Sequence, residues 1–177
     1  MRLHWTGLRR PPVPRDVTAA IGPQAGERLL AWAVEPGTRT TVVAGRHRLY
    51  AVTTGDGAPH VALSRPWHLV DAGTWSGDEA VLRITWVDGE RPAQFVLDQP
   101  GMLPETLRER VQASVVLAEA VDLGQRRTAR VVVRKDLATG ALTSQAVLGP
   151  GVRSTDPGVA EQVRSGLARV REQVGLS

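Results

Sequence analysis

Between residues 27 and 98 the chain never keeps one apolar pattern for long. Apolar and polar residues alternate in short segments, and glycine, proline or aspartate turns cut each one off. "ERLLAWAVE" places Leu30, Trp32 and Val34 on one face and stops at the turn pair Pro36-Gly37. "TTVVAG" and "RLYAVTT" flank "GRHR", the spacing of a tight hairpin, and "TGDGAP" is a looser turn. "AVLRITWV" divides into Val81, Arg83, Thr85 and Val87 on one side and Leu82, Ile84 and Trp86 on the other, and "DGERP" then leads into "AQFVLD". A period of two with turns this frequent restricts the region to six or seven short antiparallel strands that meander into a barrel or a sandwich.

The stretch "RPWHLVDAGTW", residues 65–75, is the part of this meander that most invites a chemical reading, because a histidine stands three residues before an aspartate. Side chains alternate along a strand, so His68 and Val70 face away from Trp67, Leu69, Asp71, Gly73 and Trp75. His68 and Asp71 therefore do not form a base and its orienter, and the stretch reads as an extended core segment. Pro66 and Gly73 mark where it bends or bulges.

After residue 100 the period changes to 3.6. Leu103, Leu107, Val111, Val115 and Ala118 fall on one stripe, which predicts an amphipathic helix of about 18 residues. Strands return in "TARVVVRKD" and "LTSQAVL", joined by a turn at "LATGA". Asp156-Pro157 opens a last helix with the seam Val159, Val163, Leu167, Val170 and Val174. Valines and Gly166 make that helix weak alone, so it is expected to dock on the preceding hairpin. At the other end, "RRPPVPR" reads as an extended arm that also carries a P-x-x-P pattern, followed by one short helix in "RDVTAAIG". The expected organisation is an arm and short helix over 1–25, a β-rich domain over 26–123, and a hairpin plus helix over 124–177.

Charge and motifs narrow the function classes. The 177 residues carry a net charge of +4 and no cysteine, which excludes disulfides, thiol catalysis and cysteine-bound metals. The high isoelectric point, near 10.8, follows from basic residues that are all arginine except Lys135, with little else to titrate above neutrality. The charge is uneven: residues 51–125 are acidic and both flanks are basic. No apolar run approaches the ~20 residues of a membrane span, and no apolar segment follows the basic start as in a secretory signal. A cytoplasmic protein is the default expectation. His4, His47, His60 and His68 lack metal-binding spacing, and no phosphate loop or nucleophile elbow is present, so neither catalysis nor a cofactor is expected.

The order "GERLLAWAV … TTVVAGRHRLYAV … RPWHLVDAGTW … AVLRITWV … PGMLPETLRERVQASVV" resembles small bacterial pleckstrin-homology-like (PH-like) proteins of unknown role, of the kind common in actinobacteria. The resemblance implies an α+β fold: a barrel-like antiparallel meander capped by one amphipathic helix, to which this chain adds a hairpin and a C-terminal helix. The meander-plus-helix pattern and the lack of a catalytic constellation point to a non-enzymatic binding or adaptor role. The basic-x-basic element by which phosphoinositide-binding members hold their ligand corresponds to Arg46 and Arg48, with Arg39 nearby. Two alternatives belong to other classes. Arg126, Arg127, Arg130 and Arg134 could follow a nucleic-acid backbone from an exposed strand face. A small-molecule pocket inside the barrel would draw on His60, His68 and Asp71.

Overall fold

The computed structural model describes residues 11–176. The start of the proline-rich arm and His4 lie outside the described residues. Residues 11–14 are non-helical, with Pro14 at φ −51° and ψ 142°, and the short helix α1 follows over Arg15–Ile21. Gly22 ends α1 in the left-handed conformation that glycine adopts at no steric cost.

Ten strands in three antiparallel sheets and two longer helices make up the rest of the described chain. The first sheet runs β1 (Leu29–Glu35), β2 (Thr40–Gly45), β3 (Arg48–Thr53) and β4 (His60–Pro66), each paired to the next. The second contains β5 (Val70–Ser76), β6 (Val81–Trp86) and β7 (Ala93–Val96). The sequence allowed a barrel or a sandwich. The two sheets do not close into a barrel: no ladder joins β1 to β7, and a Glu35 carboxylate oxygen accepts the Val96 N–H at 2.8 Å instead.

The segment expected as one extended run, 60–75, is two strands in different sheets. Pro66 ends β4, and a single 3-10 turn over Trp67–Leu69 carries the chain across the corner into β5. Trp67 fixes that corner: it is fully buried, and its Nε1–H donates to the Gly45 carbonyl at 3.0 Å. A register irregularity between Val70 and Ala72 then breaks the simple alternation expected across Asp71.

Helix α2, Leu103–Ser114, packs on the two sheets through Leu103, Leu107 and Val111 and joins their common core with Leu49, Trp67, Leu82 and Ile84. It is 12 residues long, shorter than the apolar stripe predicted. At Val115 the backbone becomes extended and continues without a linker as β8 (Val115–Asp122). The spacing of Val115 and Ala118 fits only the helical period, but β-branched Val115-Val116 and the pairing of this segment with β9 favour the strand.

β8 pairs with β9 (Thr128–Lys135), and β9 with β10 (Leu142–Leu148), forming the third sheet. The last helix, α3 (Val159–Gln173), lies on this sheet and encloses a second core of Val121, Val131, Val133, Val159 and Val170. Gly166 lets it sit close, since a Cβ there would stand 2.8 Å from a Val121 methyl. A third cluster forms where α1 covers the outer face of the first sheet, burying Val17 against Val43, Tyr50 and Val52.

Gly73 makes the tightest helix–sheet approach. A Cβ on it would lie 2.1 Å from Cδ2 of Leu107, a fully buried side chain with no room to retreat. Strand propensity alone predicts that Gly73→Ala stabilises. The packing predicts the opposite sign, a loss of about 1–3 kcal/mol in urea unfolding.

Candidate functional site

The tight hairpin between β2 and β3 has only Arg46 and His47 in its loop, and Glu27, just before β1, holds it from below. One Glu27 carboxylate oxygen accepts the His47 N–H at 3.1 Å and the Arg28 N–H at 3.0 Å. The other accepts the Tyr50 hydroxyl at 2.9 Å. Burial and this hydrogen bond both push the Tyr50 pKa above its ordinary value, so the phenol stays a neutral donor. Gly45 is required here, because a Cβ would approach both a Glu27 oxygen and the Arg48 carbonyl to 2.9 Å.

This arrangement sets two arginines side by side. The Arg46 N–H donates to the Arg28 carbonyl at 2.8 Å, and both side chains are exposed. Neither guanidinium has a carboxylate partner among the described residues. Arg110 reaches the same place from α2, and Thr106 and Leu30 complete a hollow of about 370 Å³. The one acid in it, Glu109, is bound by Arg110 at 2.8 Å. Three arginines and one glutamate thus line a crease between a β-turn and a helix, a lining rich in charge-assisted hydrogen-bond donors.

The residues expected to bind together are separated. Arg46 is in the groove. Arg48, two residues on, turns to β4, where its Nε and Nη2 donate to the Ser64 hydroxyl and carbonyl, both at 3.0 Å. Arg39 stands just before the far end of β2, roughly 23 Å from Arg46 at the usual rise of a strand, and pairs with Asp56 at 3.0 Å on an exposed loop. Sequence reasoning missed Arg28 and Arg110. Hairpin register could have found Arg28, since the residue before β1 lies opposite the turn that ends β2. Arg110 stands four residues after Thr106 and four before Ser114, both buried, on the flank of the apolar stripe.

The second arginine set is not a continuous exposed row. Val132 and Arg134, expected on the outer face of β9, are buried between the second sheet and the third. Arg134 is 2% exposed. Its Nη1 donates to the Val70 carbonyl at 3.0 Å and to the Ser114 hydroxyl at 3.3 Å, and its Nη2 pairs with Asp71 at 3.3 Å. Desolvation lowers its pKa, and Asp71 opposes that. Arg130 also donates to the Asp71 carboxylate, while Arg127 pairs with Asp156 at 3.3 Å. Arg126 is exposed in the β8–β9 turn, with φ +61°. Arg130 and Arg134 fasten the third sheet to the start of β5, Arg127 ties the β8–β9 turn to the approach to α3, and the four do not line up as one exposed row.

The histidines do not converge on a pocket. His60 is exposed on β4, and the space between the first two sheets is filled by the shared core. His68 sits in the corner turn with Nδ1 buried and unbonded; burial lowers its pKa, against the pull of Asp136. Asp71 is committed to Arg130 and Arg134. Among the described residues no three His, Asp or Glu side chains gather as metal ligands do, and no helix is long and apolar enough to cross a membrane. In comparisons with known proteins, no family model, no curated protein and no solved structure matches the chain.

Two substitutions separate the joint's buried and exposed contacts. Asp71→Ala strands the Arg134 charge and is expected to cost about 3 kcal/mol, the lower end for breaking a buried pair. Arg130→Ser removes a half-exposed contact and is expected to cost under about 1 kcal/mol. Equilibrium urea unfolding of the full chain measures both.

Proposed function

We propose that the chain is a PH-like binding module, a non-catalytic cytoplasmic adaptor whose partner is a protein that docks an anionic group at Arg28, Arg46 and Arg110. The observation that carries this reading is the groove itself. The backbone places two exposed arginines side by side, and neither guanidinium has a carboxylate partner among the described residues, so an anionic partner can take both. The PH-like assignment is supported by the order of elements: a four-stranded sheet, a three-stranded sheet, and a helix packed against both. The side-chain-filled interior favours recognition on the outside of the sheets over chemistry within them.

Capture from a cell extract with the immobilised full chain tests the reading. A specific polypeptide should be retained at about 0.15 M salt, where exposed charges interact over roughly 8 Å, and released by Arg28→Glu/Arg46→Glu. The same reversal at Arg83 and Arg91, exposed on and after β6, should leave capture intact. Retention of nothing, or equal retention by all three proteins, overturns the adaptor reading.

A further inference from the structure

We infer that the anion taken by the groove is a phosphate monoester on the partner protein. This inference rests on the binding-module reading and makes its chemistry specific. Arg110 is paired with Glu109, and the Glu27 carboxylate beneath the turn is occupied by two N–H groups and a phenol, which leaves Arg28 and Arg46 as two guanidiniums in one hollow without a carboxylate partner among the described residues. A phosphoserine or phosphothreonine side chain carries about −1.5 to −2 at neutral pH, with three acceptor oxygens, and so can engage both unpartnered guanidiniums at once where one carboxylate offers a single charge. The three arginines come from three elements, the approach to β1, the β2–β3 turn and α2, and all line the one hollow, which suits a compact oxyanion with several acceptors.

Other phosphate carriers fit the surroundings less well. No aromatic side chain lines the hollow, so bases of a single-stranded nucleic acid have nothing to stack on. The exposed large apolar side chains, Val34, Val61, Val96, Met102, Val115 and Val116, do not line it, so no anchor beside the cations enters a bilayer. The crease is a hollow and not a flat basic face, which suits one side chain projecting from a peptide.

The probes are N-acetyl-phosphoserine amide and N-acetyl-aspartate amide, titrated into the full chain at constant ionic strength and followed by NMR. Saturable shifts are expected at the backbone amides of Arg28, Arg46 and Arg110 with the phosphoserine probe, at least tenfold tighter than with the aspartate probe. Affinity should weaken as pH falls below about 6, where the phosphate loses its second charge while the arginines keep theirs. Arg28→Ser/Arg46→Ser should abolish the shifts, and Arg83→Ser/Arg91→Ser, which removes the same charge elsewhere, should not. Equal affinity for the two probes, or no saturable shift, overturns the inference. Co-sedimentation with phosphatidic acid vesicles that the Arg28/Arg46 variant loses also overturns it, by assigning the groove to a membrane. If the probes fail while extract capture still depends on Arg28 and Arg46, the adaptor reading stands with an unphosphorylated acidic partner. If the phosphoserine probe binds and no polypeptide is captured, the adaptor reading fails alone.

Discussion

The guanidinium of Arg134 is a full charge placed where almost no water reaches it, and the arrangement of the described elements follows from how that charge is satisfied. Its donors go to the beginning of β5, through the Val70 carbonyl and Asp71, and to the last residue of α2, through Ser114. One side chain of the third sheet thereby holds the second sheet and its closing helix. A buried charge of this kind contributes little net stability when paired, yet it excludes arrangements in which it is unpaired. Its value here is positional. It fixes which face of β9 meets β5, and so leaves Ala129, Val131 and Val133 on the other face for α3.

The two sets of arginines differ in how their charges are spent. At the joint, Arg130 and Arg134 share the Asp71 carboxylate, and Arg127 is paired with Asp156. At the groove, the nearest carboxylate that organises the backbone, Glu27, has its oxygens occupied by two N–H groups and a phenol. The acid is used to shape the turn, and the cations above it keep their capacity for an outside anion. Net charge and composition do not distinguish these two situations, since each set is simply arginine-rich.

Much of the architecture was legible in the residues because short periodicities are local. The β2–β3 hairpin, the first short helix and the seam of α3 follow directly from alternation, Gly22 and the valine spacing. The failures are long-range. Whether Val115 ends a helix or begins a strand is decided by its ladder with β9, and whether 60–75 is one strand or two is decided by the hole that Trp67 fills beside Gly45. The groove was half legible. Arg46 stood out in its motif, while Arg28 and Arg110 acquire meaning only once β1, the turn and α2 are brought together. Arg134 misled for the mirror reason: alternation identified its face correctly as distinct from Val131 and Val133, but nothing local says that this second face is also covered.

The unlinked passage from α2 into β8 ties two periodicities end to end. Thr106 and Arg110 take their places in the groove from the helical phase, and Ser114, one turn beyond Arg110, takes its place at the joint from the same phase. β8 begins at the next residue and inherits its inward and outward alternation from that point. A single residue inserted at the junction would reverse the facing of β8 against the second core. One inserted earlier, between Arg110 and Ser114, would rotate the joint about 100° around the helix relative to the groove. The segment therefore behaves as a reading frame in three dimensions, in which length is conserved by geometry even where the identity of the exposed residues is free.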